Sequence, residues 1–181
     1  QGEFVAFGAL TLALFQTGKV PGTVWLLLVL AAAAVAADLV HGLRRRVPLP
    51  ALAAQALRTA AWPVIAAALA IWAAPKGLSM PMQALLTLAL VVPFGSLIYR
   101  LAYESLADAS VLVLLIVSVG VHFALVGLGL LFFGAEGFRN PPFWDARFPA
   151  GALTISGQSL IIFGTTLALI VLLWLFFDRT L

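Results

Sequence analysis

Six stretches of the chain run apolar for most or all of the distance a helix needs to cross a lipid bilayer: Glu3 to Phe15, Thr23 to Val40, Leu52 to Ala74, Met82 to Tyr99, Ala109 to Phe133 and Ser159 to Phe177. A spanning helix takes about 20 predominantly apolar residues. The first stretch is short for a span and fits a helix missing its N-terminal turn. The runs are continuous, without the polar/apolar alternation of a membrane β-barrel. In hydrocarbon there is no water to bond the backbone, and a helix satisfies its own N–H and C=O groups. The fold class expected is therefore all-α, a polytopic transmembrane helix bundle of about six membrane segments. Composition points the same way, with 64% hydrophobic and only 9% charged residues, where a soluble domain carries about a quarter charged.

The separators are turn-rich. Gln16-Thr17-Gly18-Lys19-Val20-Pro21-Gly22, Leu43-Arg44-Arg45-Arg46 followed by Pro48 and Pro50, and Ala74-Pro75-Lys76-Gly77 each mark a chain reversal. The longest, residues 134–158, holds Glu136, Arg139, Asp145 and Arg147 among Pro141, Pro142, Trp144 and Pro149. It is too aromatic for a disordered linker and reads as an extracytoplasmic loop that packs as a cap on one face. Alternating the segments across the membrane puts Arg44, Arg45, Arg46, Arg100 and Arg179 on one face, with Arg58 near it. Lys19, Lys76, Arg139 and Arg147 fall on the other. The compact cluster Arg44, Arg45 and Arg46 marks the first face as cytoplasmic, since short cytoplasmic loops are enriched in Lys and Arg.

The net charge of +3 is spread over loops, where the membrane accounts for it, and no nucleic-acid partner is expected. The chain has no cysteine, which excludes disulfides, thiolate metal sites and cysteine nucleophiles. Residues 1–181 read as one transmembrane domain. The chain enters its first apolar run without a basic region or a small-residue cleavage site, so no signal peptide is read. Both ends, at Gln1 and Leu181, read as cut.

Ionisable groups at membrane depth are costly and are functional candidates by default. Glu3, Asp38, His41, Arg58 and His122 qualify. Asp38 and His41, three apart on one helical face beside the arginines, predict a local pair at the headgroup boundary, or else part of a proton relay. His122 lies deep in its segment with Ser118 one turn before it. It is either a packing histidine with a satisfied ring, a group lining a polar pathway, or a metal ligand, for which nothing nearby supplies partners. Ala31 to Ala37, Ala66 to Ala70 and Gly120, Gly127, Gly129 and Gly134 permit close helix packing. A phosphate-binding loop, a nucleophile elbow, a zinc-binding His-Glu-x-x-His and paired catalytic carboxylates are all missing. The residues therefore point away from an enzyme, toward passage or assembly.

Four stretches, in order, resemble the LivH/LivM-type permease subunits of branched-chain amino-acid ABC transporters. Gln1-Gly2-Glu3-Phe4-Val5-Ala6-Phe7-Gly8-Ala9-Leu10 is similar to that family's opening, with its Gly-Glu pair. Tyr99-Arg100-Leu101-Ala102-Tyr103-Glu104-Ser105-Leu106 is similar to its cytoplasmic Glu-Arg-x-x-Tyr-Arg-Pro-Leu segment, and Ser110 to Phe133, with Ile116-Val117-Ser118-Val119-Gly120, to the helix that follows. Trp174-Leu175-Phe176-Phe177-Asp178-Arg179-Thr180 resembles the end of a span that leads, in the family, to a Gly-x-Ala-x-Arg-Ala loop. Two departures stand out. Glu104 and Ser105 replace the usual Arg and Pro, and a helix pair, about Leu52 to Tyr99, is inserted ahead of the matching segment.

The resemblance implies an incomplete permease domain of a bacterial inner-membrane importer for branched-chain or related amino acids. It also implies a homologous second permease subunit, two ABC ATPase subunits that hydrolyse the ATP, and a periplasmic substrate-binding protein docking on the face of the Arg139 to Arg147 loop. Gly2, Glu3, Ser118 and Gly120 would by this resemblance lie in or near the substrate path, and His122 joins them on its depth and its neighbour Ser118. No resident cofactor or metal is implied. A zwitterionic solute needs small residues for room and a few polar groups, while a branched side chain tolerates apolar walls. Two other readings stand beside this one. The first is a non-transporting scaffold, in which Glu3 merely favours the positive end of its helix. The second is a proton-coupled carrier using Asp38, His41 and His122, which requires these groups to share a cavity.

Overall fold

The computed structural model describes residues 2–135, 137–150 and 153–180. Gln1, Glu136 and Leu181, named above, lie outside the described residues. Among the described residues, six α-helices follow the six apolar runs: α1 Gly2–Gln16, α2 Gly22–Arg44, α3 Leu49–Ala73, α4 Met80–Ile98, α5 Val111–Phe133 and α6 Gly157–Thr180. Five are long and apolar enough to cross a membrane, and the sixth, α1, is the short one. The protein is thus an all-α multi-pass membrane bundle. Its helix starts follow familiar chemistry: prolines stand before or within the first turn of α2, α3 and α4, where the missing N–H costs nothing. The Ser110 hydroxyl accepts from the Val113 backbone to cap α5.

The chain divides into two compact units, residues 1–139 and 140–181. In the first, α1 to α5 share a core that includes Phe7, Leu26, Leu27, Ala67, Ala70, Leu90, Phe94, Leu125 and Phe133. Phe7 packs edge-on against Phe94, with ring centroids 5.7 Å apart, and lies 6.0 Å from Phe133. Gly22 has no room for a side chain, because a Cβ there would fall on the Phe132 carbonyl. The α2 start therefore sits hard against the end of α5. Two hydroxyls in this core satisfy each other: those of Thr11 and Thr23 bond directly, and Thr11 also donates to the Phe7 carbonyl at 2.5 Å. Such bonds are required where lipid offers none.

One interior proline shapes the site. Pro93 cannot donate to the Ala89 carbonyl four residues back, and the Trp62 indole Nε1–H from α3 takes that carbonyl at 3.3 Å instead. Below Pro93, α4 widens into a π-helical turn, Tyr99–Tyr103, and closes in a short 3₁₀ turn, Glu104–Leu106. The Arg44-Arg45-Arg46 reversal ends α2 with Arg46 in the left-handed region at φ 54°. Its N–H bonds the Leu43 carbonyl at 3.1 Å, and Val47 N–H bonds the Gly42 carbonyl at 2.9 Å, the paired bonds that usually recruit glycine.

The second unit contains a feature the sequence reading did not anticipate. Inside the long loop, strands β1 Arg147–Ala150 and β2 Leu153–Ser156 pair as an antiparallel hairpin, with Arg147 opposite Ser156 and Ala150 opposite Leu153. Trp144 packs against Gly157, where a Cβ would collide with the indole. The Phe143 N–H donates to the Gln158 side chain at 2.8 Å.

Candidate functional site

Glu3 and His122 stand 119 residues apart in sequence, and their side chains bond directly. The His122 Nδ1–H donates to the Glu3 carboxylate. His122 sits near the middle of α5, so Glu3, in the first turn of α1, lies at about half the depth of a span. A pocket of about 760 Å³ lies beside it, between α5 and the segment that follows α4. Glu3, Ser118, His122, Tyr99 and Tyr103 supply its polar groups, and Phe4, Ile98, Leu114, Val121 and Leu125 are among its apolar walls. The Tyr103 hydroxyl donates to Ser118 Oγ at 3.0 Å, and Ser118 donates to the Leu114 carbonyl at 2.8 Å. The His122 side chain is 51% exposed and Glu3 16%, so the imidazole presents an open edge to the pocket while the carboxylate sits further back.

The structure thus brings Glu3, Ser118 and His122 to one surface. Gly2 and Gly120 do not line it. Gly120 lies two residues past Ser118, about 200° round the helix, and is exposed with nothing within 4 Å of a notional Cβ. The two tyrosines were not singled out from sequence. Their spacing of four, on a turn with more residues per turn than an α-helix, puts both in the lining of the pocket beside α5. Pro93 ahead of them was the available signal, since π-turns cluster where a helix is disturbed and at functional sites.

Asp38 corrects a sequence expectation. Its carboxylate pairs with Arg100, 62 residues away, and not with His41. Arg100 Nη2 reaches both Asp38 oxygens at 2.9 Å, and Nη1 donates to Thr59 Oγ1 at 2.7 Å. Thr59 in turn donates to Asp38 Oδ2 at 3.2 Å. Three elements are tied into a closed triangle, with Asp38 on α2, Thr59 on α3 and Arg100 on the π-turn. The His41 ring instead bonds the Ala37 carbonyl of its own helix at 3.0 Å. A charge-assisted tertiary bond outweighs the weak i,i+3 contact that spacing suggested. Arg44, Arg45 and Arg46 are exposed at this same end of the bundle.

Among the described residues, no group of three or more His, Asp or Glu side chains could hold a metal ion. Fold and site together define a multi-pass membrane protein with a mostly apolar pocket that a few polar side chains enter. No protein-family model, curated protein or solved structure matches the chain.

Proposed function

We propose that the chain is a permease subunit of an ABC importer for branched-chain or related amino acids, and that the pocket under α1 is part of its substrate path. The observation that carries this reading is the convergence of Glu3, Ser118 and His122 on one pocket whose other walls are mostly apolar. Glu3 and Ser118 come from two separate stretches of the family resemblance. A carboxylate can meet the ammonium of an amino acid, and hydroxyl and imidazole donors its carboxylate, while Phe4, Ile98 and Leu125 accept a branched side chain. The groups lie at the midplane, where a moving solute needs a site reachable from both sides in turn. The path itself is passive. Energy comes from ATP hydrolysed on two separate ATPase subunits, with a second permease completing the path and a periplasmic binding protein delivering solute at the bacterial inner membrane.

A shared polar groove supports passage over a pure scaffold, in which these side chains would be sealed or face lipid. The carrier alternative gains no such support, since Asp38 and His41 line a separate groove from His122. The test is ATP-dependent leucine uptake in vesicles bearing the chain with its partner permease, ATPases and binding protein. Uptake that Glu3→Gln abolishes is expected. Absent leucine uptake from a complex that binds another solute, an amide or urea, overturns the substrate assignment.

A further inference from the structure

A second concavity, independent of the pocket just described, opens at the end of the bundle that carries the arginine cluster. It measures about 620 Å³, and its polar lining is Asp38, His41, Arg45, Gln55, Arg100, Glu104 and Ser105. Its charges divide into two sets. Asp38 and Arg100 are satisfied by each other and by Thr59. Arg45 and Glu104 are held more loosely: among the described residues the Arg45 guanidinium makes no side-chain hydrogen bond or ion pair, and Glu104, 60% exposed, has a long ion pair with Arg100 Nε at 3.8 Å. Gln55 and Ser105 add neutral hydrogen-bonding groups, and the bond from His41 Nδ1 to its own helix leaves Nε2 over. One groove therefore offers a cation without a side-chain partner among the described residues, Arg45, and a largely exposed anion, Glu104, whose contact with Arg100 is long.

We infer that this groove binds the headgroup of a zwitterionic phospholipid with a primary amine, of the phosphoethanolamine type. Arg45 takes the phosphate, assisted by Ser105 and Gln55, and Glu104 takes the ammonium, whose N–H groups a carboxylate can bond. Charge complementarity selects this headgroup. A purely anionic lipid leaves Glu104 facing like charge, and a trimethylated amine keeps its charge but has no N–H to give. Position selects a lipid over a soluble zwitterion. The groove lies at the helix ends, beside the arginine cluster that marks the membrane boundary. Leu39, Val40 and Leu43, on the same last turns of α2, are 37%, 50% and 60% exposed and are available to acyl chains.

The full chain, purified in mild detergent and exchanged into mixed lipid, tests this by native mass spectrometry of the retained lipid. Dioleoyl phosphatidylethanolamine is expected to be retained about tenfold over the phosphatidylcholine of the same chains, the ratio that one charge-assisted hydrogen bond supports. Glu104→Gln should bring that ratio to about one without loss of phosphatidylcholine. Arg45→Gln should lower retention of both lipids, and Arg45→Lys should restore most of it. Both side chains are at the surface, and a monodisperse, helical variant by size exclusion and circular dichroism shows that the fold is kept. Equal retention of the two lipids in the wild type, a preference surviving Glu104→Gln, or stronger retention of phosphatidylglycerol overturns the assignment. Displacement of the lipid by millimolar leucine does so too, since the groove would then be a site for a soluble amino acid.

Discussion

Arg100 and His122 are both polar side chains set among apolar helices, and the bundle holds them in opposite ways. Arg100 closes a triangle with Asp38 and Thr59, every bond between 2.7 and 3.2 Å, with 30% of its side chain exposed. His122 is bonded through one nitrogen to Glu3 and lines a cavity, with half of its side chain exposed. The first arrangement fixes three helices. The second is anchored on one side and available on the other. A single short segment serves both, because Arg100 and Glu104 point to one side of the π-turn while Tyr99 and Tyr103 point to the other. Polar groups in a membrane bundle are costly in either role, and what separates structure from function is whether their bonding is complete.

The contrast can be broken by substitution. Arg100→Ala should have the largest effect on stability, because it leaves the Asp38 carboxylate, 16% exposed, with only a hydroxyl; a loss of about 2–3 kcal/mol is expected, measured as reversible unfolding in detergent. Asp38→Asn should cost less, about 1 kcal/mol, since Arg100 keeps Thr59 and can turn to Glu104, 3.8 Å away. Tyr103→Phe should cost about 0.5 kcal/mol or less in the same assay, yet alter leucine uptake, because the lost hydroxyl faces the pocket. His41→Gln should change neither stability nor uptake measurably; loss of uptake would revive the proton-coupled reading.

Most of the fold was legible before any coordinates, for a simple reason. Lipid permits so few backbone solutions that an apolar run of sufficient length has to be a helix, and α1 to α6 each begin and end within a few residues of the runs read from sequence. Part of the site was legible too. An ionisable or hydroxyl residue stands out against an apolar background, so Glu3, Ser118 and His122 could be named. Pairing could not be. Asp38 has His41 three residues on, and nothing in the local pattern indicates that Arg100, on a turn created below Pro93, comes within 2.9 Å. The hairpin at Arg147–Ser156 escaped for the converse reason: Pro149 and Gly151 argue for a turn, and strands of four residues carry too little pattern to read.

The account rests on the pocket below α1 being a path for solute. A chain without cysteine makes this directly testable, since Ser118→Cys provides a single thiol within the pocket and Gly120→Cys one on the other side of the same helix. In membranes holding the assembled complex, a small hydrophilic thiol reagent should label the first far faster than the second, and leucine should protect it. Equal labelling of the two positions, or labelling at Ser118→Cys that leucine leaves unchanged, would contradict the account.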